Sequence, residues 1–428
     1  MDMEVPLVDL RAQYAEIREE VRKAVDTVIE SQRFILGPNV ERLERQIAAY
    51  SSVGHGIGVS SGTDAILVSL MALDIKQRDD LRDGVITTPF TFFSTAGVIA
   101  RLGATPIFVD IDPNTYNLDP QKLRELLETG CDVDQESGRP VERKNLAHIK
   151  AIIPIHLYGQ CADMDPMMEM AQRAHLDIVE DAAQAIGAIY YSKRLGAKGL
   201  STGITDEEPE KEPVASGQDS RHAWRAGSMG RLGCFSFYPT KNLGGFGDAG
   251  MVVTDDKDMA EKIRILRGYG GAQAYYHDII GGNFRLDELQ AAILRVKFRY
   301  LERWTETRRR NAQRYDRLFD EMGLIGDIRL PVVEDGNRHI FHQYIIRLDH
   351  RDELREFLRA KGVGTGVYYP RPLHLQECFE YLGYKKGDFP ESERASGETL
   401  ALPIYPGLSP EQQEYVVNQI KNFYEVLK

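Results

Sequence analysis

The stretch His55-Gly56-Ile57-Gly58-Val59-Ser60-Ser61-Gly62-Thr63-Asp64-Ala65-Ile66-Leu67-Val68-Ser69-Leu70-Met71-Ala72-Leu73 decides the fold. Residues 55–60 read as a short strand that ends in small polar residues. Residues 63–73 place Ala65, Ile66, Leu70 and Leu73 on one helical face, so a helix follows at once. The same pairing repeats outward. Strands are expected at 84–88, 105–109, 150–154 and 177–180, separated by helices at 94–102, 119–128 and 164–174. Upstream, Tyr14, Ile17, Val21, Val25, Val28 and Ile29 mark a helix over 13–31, and a second is expected over 39–50. Strand and helix in alternation imply an α/β fold with a mainly parallel central sheet covered on both faces. Such sheets bind ligands beyond the carboxyl ends of their strands. The motifs below fall at strand ends.

The rhythm breaks twice. Residues 200–229 include Thr205-Asp206-Glu207-Glu208-Pro209-Glu210-Lys211-Glu212-Pro213 and offer little to bury, so they read as a mobile acidic insertion. A lid or docking loop is the functional alternative. Near 260 the strand pattern Met251-Val252-Val253-Thr254 gives way to long charged helices, 256–268 and 285–320. The expected organisation is a large domain over 1–260 and a smaller α+β domain over 261–428. A formal charge of -12 argues against nucleic acid and anionic membrane surfaces as partners. Cys131, Cys161, Cys234 and Cys378 are scattered without a C-x-x-C pair, which points to reduced thiols and no metal centre. No apolar run approaches the roughly 18 residues of a membrane span. The acidic first residues lack the basic and apolar regions of a signal peptide, so a cytoplasmic location is expected.

The chemistry centres on Cys234-Phe235-Ser236-Phe237-Tyr238-Pro239-Thr240-Lys241-Asn242-Leu243-Gly244-Gly245. A lysine just beyond an apolar strand and a proline corner is a candidate covalent catalyst, because desolvation frees its amine. A second apolar strand ends in Glu180-Asp181-Ala182-Ala183-Gln184. Small residues after Asp181 leave room for a flat ligand against the backbone. An acid for a pyridinium nitrogen and a lysine for an aldehyde are the two groups that pyridoxal phosphate most needs. Gln184 is placed to bond the ring's hydroxyl, and Ser236 to donate to a phosphate. Ser60-Ser61-Gly62-Thr63-Asp64 opens a helix, where backbone amides and the dipole favour an anion; plain N-capping is the alternative. Phe92, at another strand end, stacks on a flat ring or belongs to the core. Gly245-Phe246-Gly247-Asp248-Ala249-Gly250 matches G-x-G-x-x-G, but a strand rather than a helix follows, so a dinucleotide site is rejected.

Taken together, these motifs resemble the DegT/DnrJ/EryC1/StrS family of sugar aminotransferases, along nearly the whole chain. The resemblance also rests on Phe34-Ile35-Leu36-Gly37-Pro38, His156-Leu157-Tyr158-Gly159-Gln160, Gly282-Asn283-Phe284-Arg285-Leu286-Asp287-Glu288 and Tyr368-Tyr369-Pro370-Arg371-Pro372-Leu373-His374. The acidic insertion departs from the pattern. The resemblance implies a fold-type I, aspartate-aminotransferase-like architecture with pyridoxal 5'-phosphate as cofactor. It implies that Lys241 bonds the cofactor aldehyde and moves the proton, and that Asp181 pairs with the ring nitrogen. Phe92 stacks on the ring, Gly62, Thr63 and Ser236 hold the phosphate, and Gln184 lies near the ring oxygen. Asn283 reaches the phosphate of the other subunit, which implies a homodimer with shared sites. Arg285, Tyr368, Tyr369 and His374 line the nucleotide-sugar pocket.

The implied activity moves an amino group from glutamate, leaving 2-oxoglutarate, to a nucleotide-linked keto-sugar in amino-sugar and polysaccharide biosynthesis. The segment His156–Asp165 looks like that of relatives acting on 3-keto sugars, which favours C3 over C4 amination. A sugar dehydratase of the same fold is an alternative, yet its branch carries histidine where Lys241 stands. A non-enzymic regulatory protein is the other, and such a binder needs no lysine.

Overall fold

The computed structural model describes residues 3–78, 81–196, 198, 221–273 and 275–427. Its large sheet runs in the order His55–Val59, Gly250–Thr254, Leu232–Ser236, Asp177–Asp181, Ala147–Ile152, Leu81–Thr87, and Thr105–Phe108 also pairs with Leu81–Thr87. The pairings from Leu232–Ser236 through Thr105–Phe108 are parallel. Helices cross between most of these strands, whereas the described part of the connection from Asp177–Asp181 to Leu232–Ser236 carries the strands Ile189–Ser192 and His222–Arg225. Gly250–Thr254 is antiparallel to both of its neighbours. The chain reaches it from Leu232–Ser236 through a loop without a helix, and that loop carries Lys241. No helix opens at the glycine-rich run 245–250, in keeping with the rejected dinucleotide match.

Alternate residues of the strands supply two cores. Ile178, Phe235, Met251 and Val253 join one, with helices Pro38–Tyr50, Met164–Arg173 and Glu288–Phe298 packed over it. Val179, Cys234 and Val252 join the other, under helices Gly62–Ala72 and Lys257–Arg267. Period-2 alternation on strands with both faces buried is what a doubly covered sheet demands. A third core surrounds the antiparallel pair Tyr344–Arg347 and Thr399–Leu402, and takes in Tyr315, Leu354 and Val416 from three helices. Val5 also packs there.

Three expectations change. Residue 260 does not mark a change of core: Ile263 and Leu266 pack on one face of the large sheet, and Leu294, Phe298 and Leu301 on the other. The helix expected over 285–320 is two helices, Glu288–Phe298 and Leu301–Glu321. The first packs on Leu10–Ser31 and Pro38–Tyr50, the second on Pro410–Leu427, and one straight rod cannot serve both surfaces. Most of the insertion, 200–220, lies outside the described residues, but its end does not behave as a mobile tail. His222–Arg225 pairs with Ile189–Ser192, and Ala226 and Met229 are buried. The acidic stretch hid a segment that does have something to bury.

Candidate active site

The site grows from strands that end at one edge of the sheet. Asp181 is the last residue of Asp177–Asp181 and lies opposite Cys234 of the neighbouring strand. Ser236 ends that neighbour, and Ser236, Gly250 and Val59 lie in line across three strands. The turn after Val59 therefore delivers the N-terminus of helix Gly62–Ala72 beside Ser236. Ser61 caps it, its hydroxyl accepting from the Asp64 amide at 3.0 Å. The approach is so close that a Cβ on Gly62 would stand 2.5 Å from Ser236 Cβ. Gly62→Ala is therefore expected to cost about 1–3 kcal/mol in a denaturant melt. Ser236→Gly in the same chain should return most of it, since it removes the atom in the way.

The loop to Lys241 is pinned on its own backbone. The Lys241 amide donates to Tyr238 O at 2.8 Å, Gly245 N to Phe237 O at 2.8 Å, and Phe237 N to Ala249 O at 2.8 Å. Lys297, buried under the loop, donates its ammonium to the Gly244 carbonyl. Lys241 and Asp181 line one cavity of about 570 Å³, together with Gly62, Thr63, Phe92, Gln184, Ser236, Tyr368 and Tyr369. That volume suits a small ligand or cofactor. Burial pushes the Lys241 amine down to about 8, against the opposing pull of the Asp181 carboxylate. Burial pushes Asp181 up, opposed by hydrogen bonds from Thr95 and Ala183 and by the Lys241 charge. Thr95 Oγ1 donates to Asp181 Oδ2 at 2.7 Å, and Ala183 N to Oδ1 at 3.2 Å.

Behind Asp181, Glu180 is wholly buried and accepts from the amides of Gly227 at 2.7 Å, Met229 at 2.6 Å and Gly230 at 2.5 Å. His156 Nδ1 accepts from Ala162 N at 3.1 Å, so Nε2 carries the proton and donates it to Glu180 Oε2 at 2.8 Å. This carboxylate staples the end of the insertion to the strand that carries Asp181.

Phe92 is 57% exposed and lies on the cavity, whereas Phe90, two residues earlier, is fully buried core. Tyr369 packs against Phe92 at 6.3 Å between ring centroids. Gln184 bridges the wall: its Oε1 accepts from Tyr158 N at 2.8 Å and its Nε2 donates to Tyr369 Oη at 3.0 Å. The Tyr158 hydroxyl donates to the Tyr368 carbonyl.

Three expected site residues stand elsewhere. Asn283 is exposed and bonded to Arg285 Nε at 2.9 Å, and Arg285 lies over the Tyr269 ring, 5.6 Å from its centroid. Neither lines the cavity of its own chain. His374 is corrected: it is 1% exposed, packs on Phe389 and bonds Glu393 at 3.0 Å, so it is a core residue and not a pocket wall. Conversely, the sequence reading passed over Thr95, Thr240, His342 and Gln343. Thr95 follows Phe92 at a helix start and carried a weak signal. His342 sits before a strand of the third core and carried none.

A low-pKa amine facing a buried carboxylate across a cavity, beside a glycine cradle at a helix N-terminus, is the donor set of a pyridoxal-phosphate enzyme. The fold, a mainly parallel sheet with the lysine on its hairpin loop, defines the same fold-type I class. The chain belongs to the DegT/DnrJ/EryC1/StrS aminotransferase family, whose model matches residues 15–206 and 214–421. It is 46% identical over 99% of both chains to the pleiotropic regulatory protein of Geobacillus stearothermophilus. It is 37% identical over 97% of both chains to the UDP-N-acetyl-3-dehydro-alpha-D-glucosamine 3-aminotransferase of Acidithiobacillus ferrooxidans. The crystal structure of S. venezuelae DesV in complex with a ketimine intermediate superposes with a TM-score of 0.82, at 35% identity and 99% coverage of each chain. The chain is thus a pyridoxal-phosphate-dependent aminotransferase. Among the described residues no helix is long and apolar enough to cross a membrane.

Proposed function

We propose that this enzyme transfers an amino group from glutamate to a nucleotide-linked keto-sugar, with the ketone at C3, in the making of an amino sugar. The observation that carries the reading is Lys241 and Asp181 on one cavity, the amine held near 8 and the acid buried. The aminating relative named above, which acts on a 3-dehydro sugar, supports the C3 assignment.

Bound in this cavity, pyridoxal phosphate supplies an aldehyde and a ring that draws electrons from the carbon being deprotonated. Ser236, Thr63 and the amides at Gly62 would hold its phosphate. Phe92 would cover one face of its ring, with Gln184 at its edge. Lys241 Nζ takes the proton from the donor's amino-bearing carbon and later returns one, since an amine near 8 can do both close to neutrality. Asp181 Oδ keeps a proton on the ring nitrogen, and Thr95 fixes its direction. Asn283 of a second copy would complete the phosphate site, because here it faces solvent. Arg285, Tyr368 and Tyr369 would then frame the sugar.

With a pKa of about 8, roughly a tenth of the Lys241 amine is unprotonated at pH 7, against about 0.03% for an ordinary lysine. The rate at which cofactor-free protein combines with added pyridoxal phosphate should therefore climb with pH and level off near 8, followed by visible absorption. A rate that keeps rising to 10.5 would show an ordinary lysine.

The regulatory name of one relative favours a second reading, a protein that binds the cofactor and signals. Half-reactions separate the two. Glutamate should bleach the visible band of the loaded protein, and a nucleotide 3-keto-sugar should restore it. A band that glutamate leaves unchanged overturns glutamate as the donor, and a band that no amino acid bleaches favours the regulatory reading.

A further inference from the structure

His342 occupies a place on the cavity wall that the scheme above does not use. Its segment is stitched in from several sides. Ile340 N donates to Gly159 O at 2.9 Å and Gln343 N to Tyr158 O at 3.3 Å. Buried Arg308 donates to the carbonyls of Phe341 at 3.2 Å, His342 at 3.3 Å and Ile404 at 2.8 Å. The imidazole is fixed as well. Its Nδ1 lies 3.1 Å from Asn242 Oδ1, and Asn242 is the neighbour of Lys241. A carboxamide oxygen only accepts, so Nδ1 carries the proton and Nε2 keeps its lone pair. Burial, with the charge of Lys241 added, holds the ring well below its ordinary value and therefore neutral. No hydrogen bond joins Nε2 to another of the described residues. Two neighbouring polar side chains are already engaged: Asp181 by Thr95 and Ala183, Gln184 by Tyr158 and Tyr369.

We propose that His342 is a specificity-determining residue whose Nε2 accepts a hydrogen bond from a hydroxyl on the carbon next to the ketone being aminated. The inference rests on the keto-sugar reading above. Lys241 Nζ must reach the reacting carbon, so a side chain beside Lys241 meets the substituents of the adjoining carbon. A neutral acceptor there welcomes a hydroxyl and is left unpaired by a deoxy carbon or a methyl ether.

The test compares two nucleotide 3-keto-sugars, one with a hydroxyl and one deoxygenated at the adjoining carbon. The wild-type protein should prefer the hydroxy sugar in kcat/KM by roughly tenfold, the worth of one neutral hydrogen bond. His342→Phe keeps the ring shape and should erase the preference. His342→Gln puts an amide oxygen near the position of Nε2 and should restore part of it. Calorimetric affinities of the two amino-sugar products should show the same pattern without turnover. An equal loss on both sugars in His342→Phe would reduce His342 to a packing role and overturn the proposal. If wild-type protein aminates neither sugar, the keto-sugar reading fails and takes this inference with it.

Discussion

Lys241→Ala is expected to lose turnover by at least ~10³-fold, toward the upper end of what a positioned proton-transfer group contributes. The loss should appear in both half-reactions, because the same amine serves the donor and the acceptor sugar. The variant should fold, since the Lys241 side chain makes no hydrogen bond to any of the described residues and its loop is held by backbone bonds at Tyr238, Phe237 and Gly245. Near-ultraviolet dichroism and a melt would confirm intact packing. Added alkylamines offer a sharper check: a small amine that fills the vacated space should return part of the lost rate, with a pH dependence set by its own pKa. Turnover within tenfold of wild type would remove Lys241 from the chemistry.

Asp181→Asn is expected to cost on the order of 10²–10³ in kcat, comparable to deleting one preorganised electrostatic partner. Asparagine keeps the size and can accept from Thr95, so the fold is spared, but the charge that holds a proton on a pyridine nitrogen is gone. A second readout separates this from general damage. The Asp181 carboxylate raises the Lys241 value, so its removal lowers that value further below 8. In the cofactor-free variant, the association rate with pyridoxal phosphate should then level off at a lower pH than in wild type. Faster capture at neutral pH together with slower turnover is a pairing that misfolding does not produce. An unchanged midpoint would mean that the two groups do not feel each other.

Much of this was legible before any coordinates. Strand-then-helix pairs, capping residues such as Ser61, and the two strand-end motifs around Asp181 and Lys241 are local signals, readable within a few residues. Other features had no local signal. Phe90 and Phe92 are two residues apart and chemically alike, yet one is core and the other faces the cavity. The break between Phe298 and Leu301 has no proline or glycine to announce it, and follows from which neighbours each half meets. His374 reads like a pocket residue in its motif, but Phe389 and Glu393 draw it inward. The strand His222–Arg225 was masked by the acidic residues before it.

The sequence by itself determined the α/β class, the family and the two strand-end motifs that carry Lys241 and Asp181, because each is written in a contiguous run whose spacing backbone geometry obliges. Only the tertiary structure decided how those groups are tuned. Thr95 meets Asp181 across 86 residues and Asn242 meets His342 across 100. Such contacts, and the desolvation that lowers one amine and raises one acid, are created by the packing of distant segments, which no single stretch of chain encodes.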